Sequence, residues 1–237
     1  MHRLRNPAGL GVGENNFPFN FDQMAFWYKN ESIRGVADDA VISSWADSSA
    51  FSVIIEQTVN GNRPIKKASI FGSLPAARFD GTDDYMDRTS TFPMTSMTVL
   101  VALKNLSGSS DKKGVVTGPT DGSGFFITGS TLKQKLIGVS GNVESDAYSG
   151  SIGDARLWGY ATDGTNHKHY SNGAVVTSHS GSVGQMDIYR VGGWTGSPAT
   201  DFLNGDIGEI LVYYNRKLDA DVLSLYTNYF KPKFGLP

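Results

Sequence analysis

Asp201-Phe-Leu-Asn-Gly-Asp-Ile-Gly-Glu-Ile-Leu-Val-Tyr-Tyr-Asn-Arg-Lys-Leu-Asp-Ala-Asp-Val-Leu-Ser-Leu-Tyr-Thr-Asn-Tyr-Phe230 decides how the rest of the chain reads. A glycine turn at Asn204-Gly205 leads into Ile207 to Tyr214, rich in β-branched and aromatic residues, as a pleated, half-buried surface favours. Polar Asn215-Arg216-Lys217 ends that run. The period then changes: Leu218, Val222, Leu225, Tyr226 and Tyr229 recur at three- and four-residue spacing, one face of a helix. Asp219 reads as its N-cap, Asp221 suits the positive end of the helix dipole, and Lys231-Pro232 reads as its stop. One strand and one short helix therefore close the chain.

Outward from this stretch the pattern is β throughout. Met94 to Lys104 is apolar without alternation, which predicts a strand buried on both faces. Asn172-Gly173 between Tyr170-Ser171 and Ala174-Val175 predicts a type I′ hairpin. Strands are also predicted at Gln23–Tyr28, 124–128, 132–139 and 155–161, separated by loops rich in Gly, Ser and Asp. The spacing of turn signals suits a sandwich. With 237 residues and 28 glycines, the chain fits one all-β domain. Residues 21–237 read as that domain and 1–20 as an extended arm, in which Phe17, Phe19 and Phe21 alternate. Those rings either cover the domain's own sandwich or dock a partner.

Composition excludes several classes. The formal net charge is -2, and no clustered basic face marks a nucleic-acid binder. There is no cysteine, hence no disulfide or thiolate metal site. No stretch approaches the roughly 18 apolar residues of a membrane span, and Met1-His-Arg-Leu-Arg-Asn-Pro7 is not followed by a signal-peptide core.

Several segments carry a resemblance to a known family. They are Phe202 to Tyr213, Arg216-Lys-Leu-Asp-Ala-Asp-Val222, and Pro75-Ala-Ala-Arg-Phe-Asp-Gly-Thr-Asp-Asp-Tyr-Met86. Trp45-Ala-Asp-Ser-Ser49 with Gln57 and Arg63-Pro64, the Asn172-Gly173 hairpin and the Gly192-Gly193 turn add to them. Together they resemble the concanavalin A-like lectin/glucanase superfamily, in its laminin-G-like jelly-roll form, a domain used in bacteriophage structural proteins and bacterial surface proteins. Asp221 stands where that family usually has Glu. The resemblance spans residues 24–105 and 155–236, and implies an antiparallel two-sheet jelly roll with a short C-terminal helix. It implies three functions to weigh. The first is a non-enzymatic virion part, a capsid decoration or tail-fibre component, bound to other virion proteins or to itself as a homo-oligomer. The second is a carbohydrate-binding module for host surface polysaccharide, on a virion, a bacterial cell surface or outside the cell. The third is a glycoside hydrolase.

The residues speak against the third. Retaining glycosidases need two carboxylates about 5 Å apart, written on one strand as E-x-D-x-E or E-x-D-x-x-E. The five glutamates, Glu14, Glu31, Glu56, Glu144 and Glu209, are too scattered for that motif. Glu209 is expected to bond backbone or arginine rather than to react. Asp80, Asp83, Asp84 and Asp87 surround a glycine turn; such oxygen-rich loops hold Ca²⁺, but the same run is ordinary Asp turn chemistry. Trp194, Trp158, Tyr148 and Tyr160 flank polar loops and are the candidate sugar-stacking rings; packing in the core is the alternative for each. Trp27 and Trp45 read as structural. His167 and His169 share a strand face, and a two-residue turn at Asn172-Gly173 sets His179 opposite Asn166, on the other face, which leaves no three-histidine metal site.

Overall fold

The computed structural model describes residues 23–33, 35–107, 113–118, 123–128, 133–137, 142–144, 151–182, 186–194, 201–215 and 217–237. In chain order the strands are β1 (Met24–Lys29), β2 (Ser44–Trp45), β3 (Ile55–Glu56), β4 (Ile65–Phe71), β5 (Leu74–Asp80), β6 (Met86–Arg88), β7 (Pro93–Met94), β8 (Met97–Asn105), β9 (Lys113–Thr117), β10 (Gly124–Thr128), β11 (Lys133–Ile137), β12 (Asn142–Glu144), β13 (Ala155–Thr162), β14 (Asn166–Ser171), β15 (Ala174–Ser180), β16 (Met186–Asp187), β17 (Arg190–Val191) and β18 (Asn204–Tyr213).

Two antiparallel sheets form the sandwich expected of an all-β jelly roll. The first runs β15-β14-β13-β8-β18-β5-β4, and the second runs β12-β11-β10-β9-β17-β6-β3-β2. β1 pairs with the second half of β18, from Tyr28 against Ile210 to Met24 against Tyr213, while β5 pairs with its first half. A two-stranded ribbon of β7 and β16 lies at one end.

β18 and β8 are the centre of the first sheet, and their sequences say why. Neither alternates apolar with polar, because both sheet faces are covered. Val99, Val101, Leu103, Ile207, Ile210 and Val212 face the second sheet, where they meet Trp45, Met86, Val116 and Phe125. Leu100, Ala102, Leu211 and Tyr213 face the other way, under Val222, Leu225, Phe230 and Phe234 of the C-terminal helix. Each fully buried side chain of this size contributes about 1.5–3 kcal/mol, so the helix is part of the core rather than an appendage.

That helix departs from the sequence reading at both ends. α1 (Asp219–Leu225) starts one residue earlier than an Asp219 cap requires, with Leu218 as the capping residue. Asp219 instead reaches across to β14, where Tyr170 Oη donates to it at 2.9 Å and Lys168 pairs with it. The Leu218 N–H donates to the Asp221 carboxylate at 3.3 Å. Lys231-Pro232 does not stop the helix. A wider turn over Tyr226–Phe230 passes into α2 (Lys231–Phe234), where Pro232 sits in the first turn, and Gly235, at φ 61°, ends it. A proline at such a position loses no hydrogen bond it needs.

The Asn172-Gly173 turn has positive φ at both residues, 50° and 79°, as a type I′ hairpin demands. Tyr170 then pairs with Val175, but His169 pairs with Thr177. Val176 is thus an extra residue, a bulge, and every pair beyond it shifts by one. His179 lies opposite His167, not opposite Asn166. The predicted separation of the histidines onto two faces is therefore wrong, and the bulge is the reason.

Among the described residues no helix is long and apolar enough to cross a membrane.

Candidate functional site

The sequence-predicted rings divide. Trp158 and Tyr160 are corrected: both lie on β13 facing the second sheet, 1 % and 2 % exposed. Tyr160 tilts against Phe125 at 5.3 Å between ring centroids and its hydroxyl donates to Met97 Sδ at 2.8 Å. Neither can stack on a ligand. Tyr148, and Phe17, Phe19 and Phe21 of the arm, lie outside the described residues. Trp194 is half-buried at the end of the Gly192-Gly193 turn.

Trp194 belongs to a site that the sequence reading did not assemble. On the outer face of the second sheet, Glu56, Asp87, Arg190 and Thr117 are successive cross-strand neighbours on β3, β6, β17 and β9. Arg190 Nε and Nη2 donate to the two Asp87 oxygens at 2.6 and 2.8 Å, a planar two-pronged pair. The Arg190 guanidinium lies 3.7 Å over the Tyr85 ring centroid, and Tyr85 stacks on Phe202 at 6.3 Å. Arg190 Nη1 also donates to the Trp194 carbonyl at 3.4 Å. Beside this array is a shallow pocket of about 260 Å³ lined by Glu56, Gln57, Tyr85, Asp87, Thr89 and Tyr189. Gln57 is held in place by donating to the Tyr85 carbonyl at 3.2 Å and accepting from the Val59 N–H at 2.9 Å. Gln57 and Asp87 are therefore fixed before any ligand arrives. Tyr85, Asp87 and Thr89 alternate in sequence, so a period-two reading of 85–89 was the signal available. Arg190, 103 positions from Asp87 in the chain, had none.

Asp87 thus leaves the acidic cluster to which the sequence assigned it. Asp80, Asp83 and Asp84 do converge, with carboxylate oxygens within 4.8 Å of one another. The Asp80 carboxylate accepts from the Thr82 N–H at 2.8 Å, while Asp84 accepts from the Asp80 N–H at 3.0 Å. Burial pushes the Asp84 carboxyl up to about 7, with the neighbouring Asp80 charge adding to it.

Glu209 is fully buried on the helix side of β18. It accepts from Trp27 Nε1, Tyr229 Oη and Lys233 Nζ. Its partners are thus side chains of β1 and the C-terminal helix, not the backbone or arginine expected. Burial pushes this carboxyl above the ordinary carboxylate range, and Lys233, Trp27 and Tyr229 pull it back.

A larger groove of about 420 Å³ is lined by Phe51, Phe92, Pro93, Met94 and Tyr214 among others. It offers apolar rings but lacks the converging fixed polar groups that mark a specific small-ligand site.

The sequence matches no family model and no curated protein. Solved structures share its fold. The botulinum neurotoxin serotype D ligand-binding domain in complex with N-acetylneuraminic acid superposes with a TM-score of 0.59 at 11 % identity, over 88 % of this chain and 52 % of that one. Trypanosoma rangeli sialidase in complex with sialic acid gives 0.60 at 10 % identity, over 86 % of this chain and 33 % of that one. The heptameric SAP-like pentraxin of Limulus polyphemus gives 0.53 at 12 % identity, over 64 % of this chain and 81 % of that one. This chain therefore spans about half the length of the toxin domain it matches, and identities this low show the fold alone.

Proposed function

We propose that this domain is a non-catalytic, lectin-like binding module whose glycan site is the outer face of the second sheet at Tyr85, Asp87, Arg190 and Tyr189. The observation that carries it is the Arg190–Asp87 pair stacked on Tyr85 beside a pocket of pre-positioned polar groups. A sugar ring offers an apolar face to an aromatic side chain and paired hydroxyls to planar charged groups. Asp87 is unsuited to act as a nucleophile or acid, since both of its oxygens are held by Arg190. Glycoside hydrolysis needs two carboxylates free to react. The test is a glycan array followed by titration calorimetry on the best hit. Tyr189→Ala is expected to weaken binding at least tenfold; Tyr189 is half-buried, so a stability loss of about 1 kcal/mol is expected beside it. An array without a hit from folded protein would sink the reading.

For the setting of the module we propose a virion structural component that contacts other virion proteins or further copies of itself. The support is the likeness of Pro75 to Met86 and of Phe202 to Tyr213 to phage-borne jelly rolls. Light scattering is expected to show a closed oligomer, and a monomer under all conditions overturns self-association.

Ca²⁺ is the proposed occupant of the Asp80, Asp83 and Asp84 turn. The donor set fits a hard cation, which takes carboxylate and carbonyl oxygens from such loops, and a cation there offsets the burial, and with it the Asp80 charge, that holds Asp84 up. Asp84 is raised in the fold, so its stabilising contribution is complete below the unfolded value near 4 and is lost as pH rises through about 7. Asp84→Asn is therefore expected to melt above the parent at pH 8 and equal to it at pH 4. Millimolar Ca²⁺ is expected to raise the parent's melting temperature at pH 8 and leave Asp84→Asn unmoved. Equal responses of the two proteins exclude the site.

A further inference from the structure

The bulge at Val176 brings three histidines together inside the edge of the sandwich. His167 and His169 sit on β14 opposite Thr162 and Tyr160 of β13, so their rings point towards the second sheet. They are 1 % and 0 % exposed. His179 on β15 lies opposite His167, and its ring meets that of His169 edge-on at 6.0 Å between centroids.

The three rings differ in how they are held. His167 Nδ1 is 2.8 Å from Thr162 Oγ1 and its Nε2 is 2.5 Å from the Gly181 carbonyl. A carbonyl only accepts, so Nε2 donates to Gly181. This ring is tied at both ends. His169 has no hydrogen-bond partner at either ring nitrogen, and His179 has none at Nε2. Each of these nitrogens is enclosed by protein. Among the described residues no carboxylate is bonded to any of the three rings, and the charges that bear on His169 are those of His179 and His167. Among the described residues, the cross-strand neighbours of the cluster are uncharged: Tyr160 and Thr162 on β13 and Thr177 on β15. Lys168, between the two β14 histidines, points to the opposite face and pairs with Asp219.

We propose that this cluster is an acid-sensitive latch: protonation of the enclosed His169 ring, packed edge-on against His179, releases the β14–β15 edge of the first sheet while its centre stays folded. An imidazolium at His169 is enclosed by protein and, among the described residues, has no anion bonded to it to offset its desolvation. β15 is the last strand of its sheet, so it can leave without breaking the pairing of β8 with β18. Burial, reinforced by His179 and His167, pulls His169 down to about 3. A folded-state value below the unfolded one near 6.5 means that stability is complete above about pH 6.5 and is lost as pH falls from there towards 3. The hydrogen bonds of His167 to Thr162 and Gly181 hold the edge at higher pH.

Hydrogen exchange read by mass spectrometry, corrected for intrinsic rates, tests this on the full chain. Between pH 7.5 and pH 5, peptides covering 166–180 are expected to lose at least tenfold in protection, and peptides covering β8 and β18 less than twofold. His169→Phe, which keeps a ring and removes both nitrogens, is expected to abolish the difference. His179→Phe serves the same purpose should the first variant not fold. Uniform loss across the sheet, or an unchanged response in both variants, overturns the latch. So does a rise in melting temperature with micromolar Zn²⁺ at pH 7.5 that both variants lose, since the nitrogens would then belong to a metal site.

Discussion

Gly192→Ala is expected to destabilise the domain by more than 4 kcal/mol, a large share of the roughly 5–15 kcal/mol that holds a domain of this kind folded. Two effects add. Gly192 has φ +89°, which an L side chain rarely adopts, and a Cβ placed there falls 2.2 and 2.3 Å from Cδ1 and Cε1 of Phe79. Phe79 is fully buried in the core between the sheets and cannot swing away. The neighbouring backbone is also tied, since the Gly192 N–H donates to the Val115 carbonyl at 3.1 Å and the Gly192 carbonyl accepts from Leu203 at 2.8 Å. Gly153→Ala isolates the backbone part, because Gly153 has φ +92° but nothing within 4 Å of an added Cβ; its expected cost is about 1–3 kcal/mol. Denaturant midpoints of the two variants decide the matter. If they fall together, the Phe79 contact carries no weight.

The second large effect is expected at Glu209. Glu209→Ala removes the acceptor for Trp27, Tyr229 and Lys233 at once, and breaking one side of a buried charged pair typically costs about 3–5 kcal/mol. Lys233 keeps a second partner in Glu31 at 2.9 Å, so the loss belongs at the lower end of that range. Glu209→Gln retains an acceptor and is expected to cost less. Replacing both members, in Glu209→Gln with Lys233→Met, is expected to recover part of the loss, as buried pairs exchanged together often do. A double-mutant cycle in urea measures this, and a coupling energy near zero would show that the two side chains act independently. Glycan binding is expected to survive all of these variants that fold, because Glu209 lies under the helix, on the face of the first sheet turned away from the proposed site.

Much of the fold was legible because its decisive features are local. The closing strand and the apolar run at Met94 to Lys104 declared two central strands, and Asn172-Gly173 declared a hairpin. The misreadings have local causes too. On β13 both faces are apolar, so Trp158 and Tyr160 look the same whether they cap a rim or fill a core. Val176 shows nothing in the sequence that marks it as a bulge, yet it decides which face His179 takes. Lys231-Pro232 stops a regular helix, but the wide turn before it admits the proline. The candidate site was scarcely legible, because Arg190 meets Asp87 only through the pairing of β17 with β6. Nothing near either residue in the chain announces its partner.

The placement of β18 has a consequence for how the protein is made. Its neighbours β1, β5 and β8 all precede it in the chain, and β1 pairs with it across 180 positions, Lys29 against Glu209. At about 5–20 residues per second of translation, the strands that flank it wait on the order of ten seconds or more before it emerges. Until then β1, β5 and β8 present unpaired edges, the templates on which chains stick to one another. Soluble yield should therefore depend on events at the ribosome, where a chaperone that shields those edges, or slower crowding of nascent chains at low temperature, governs how many copies reach the closed sandwich.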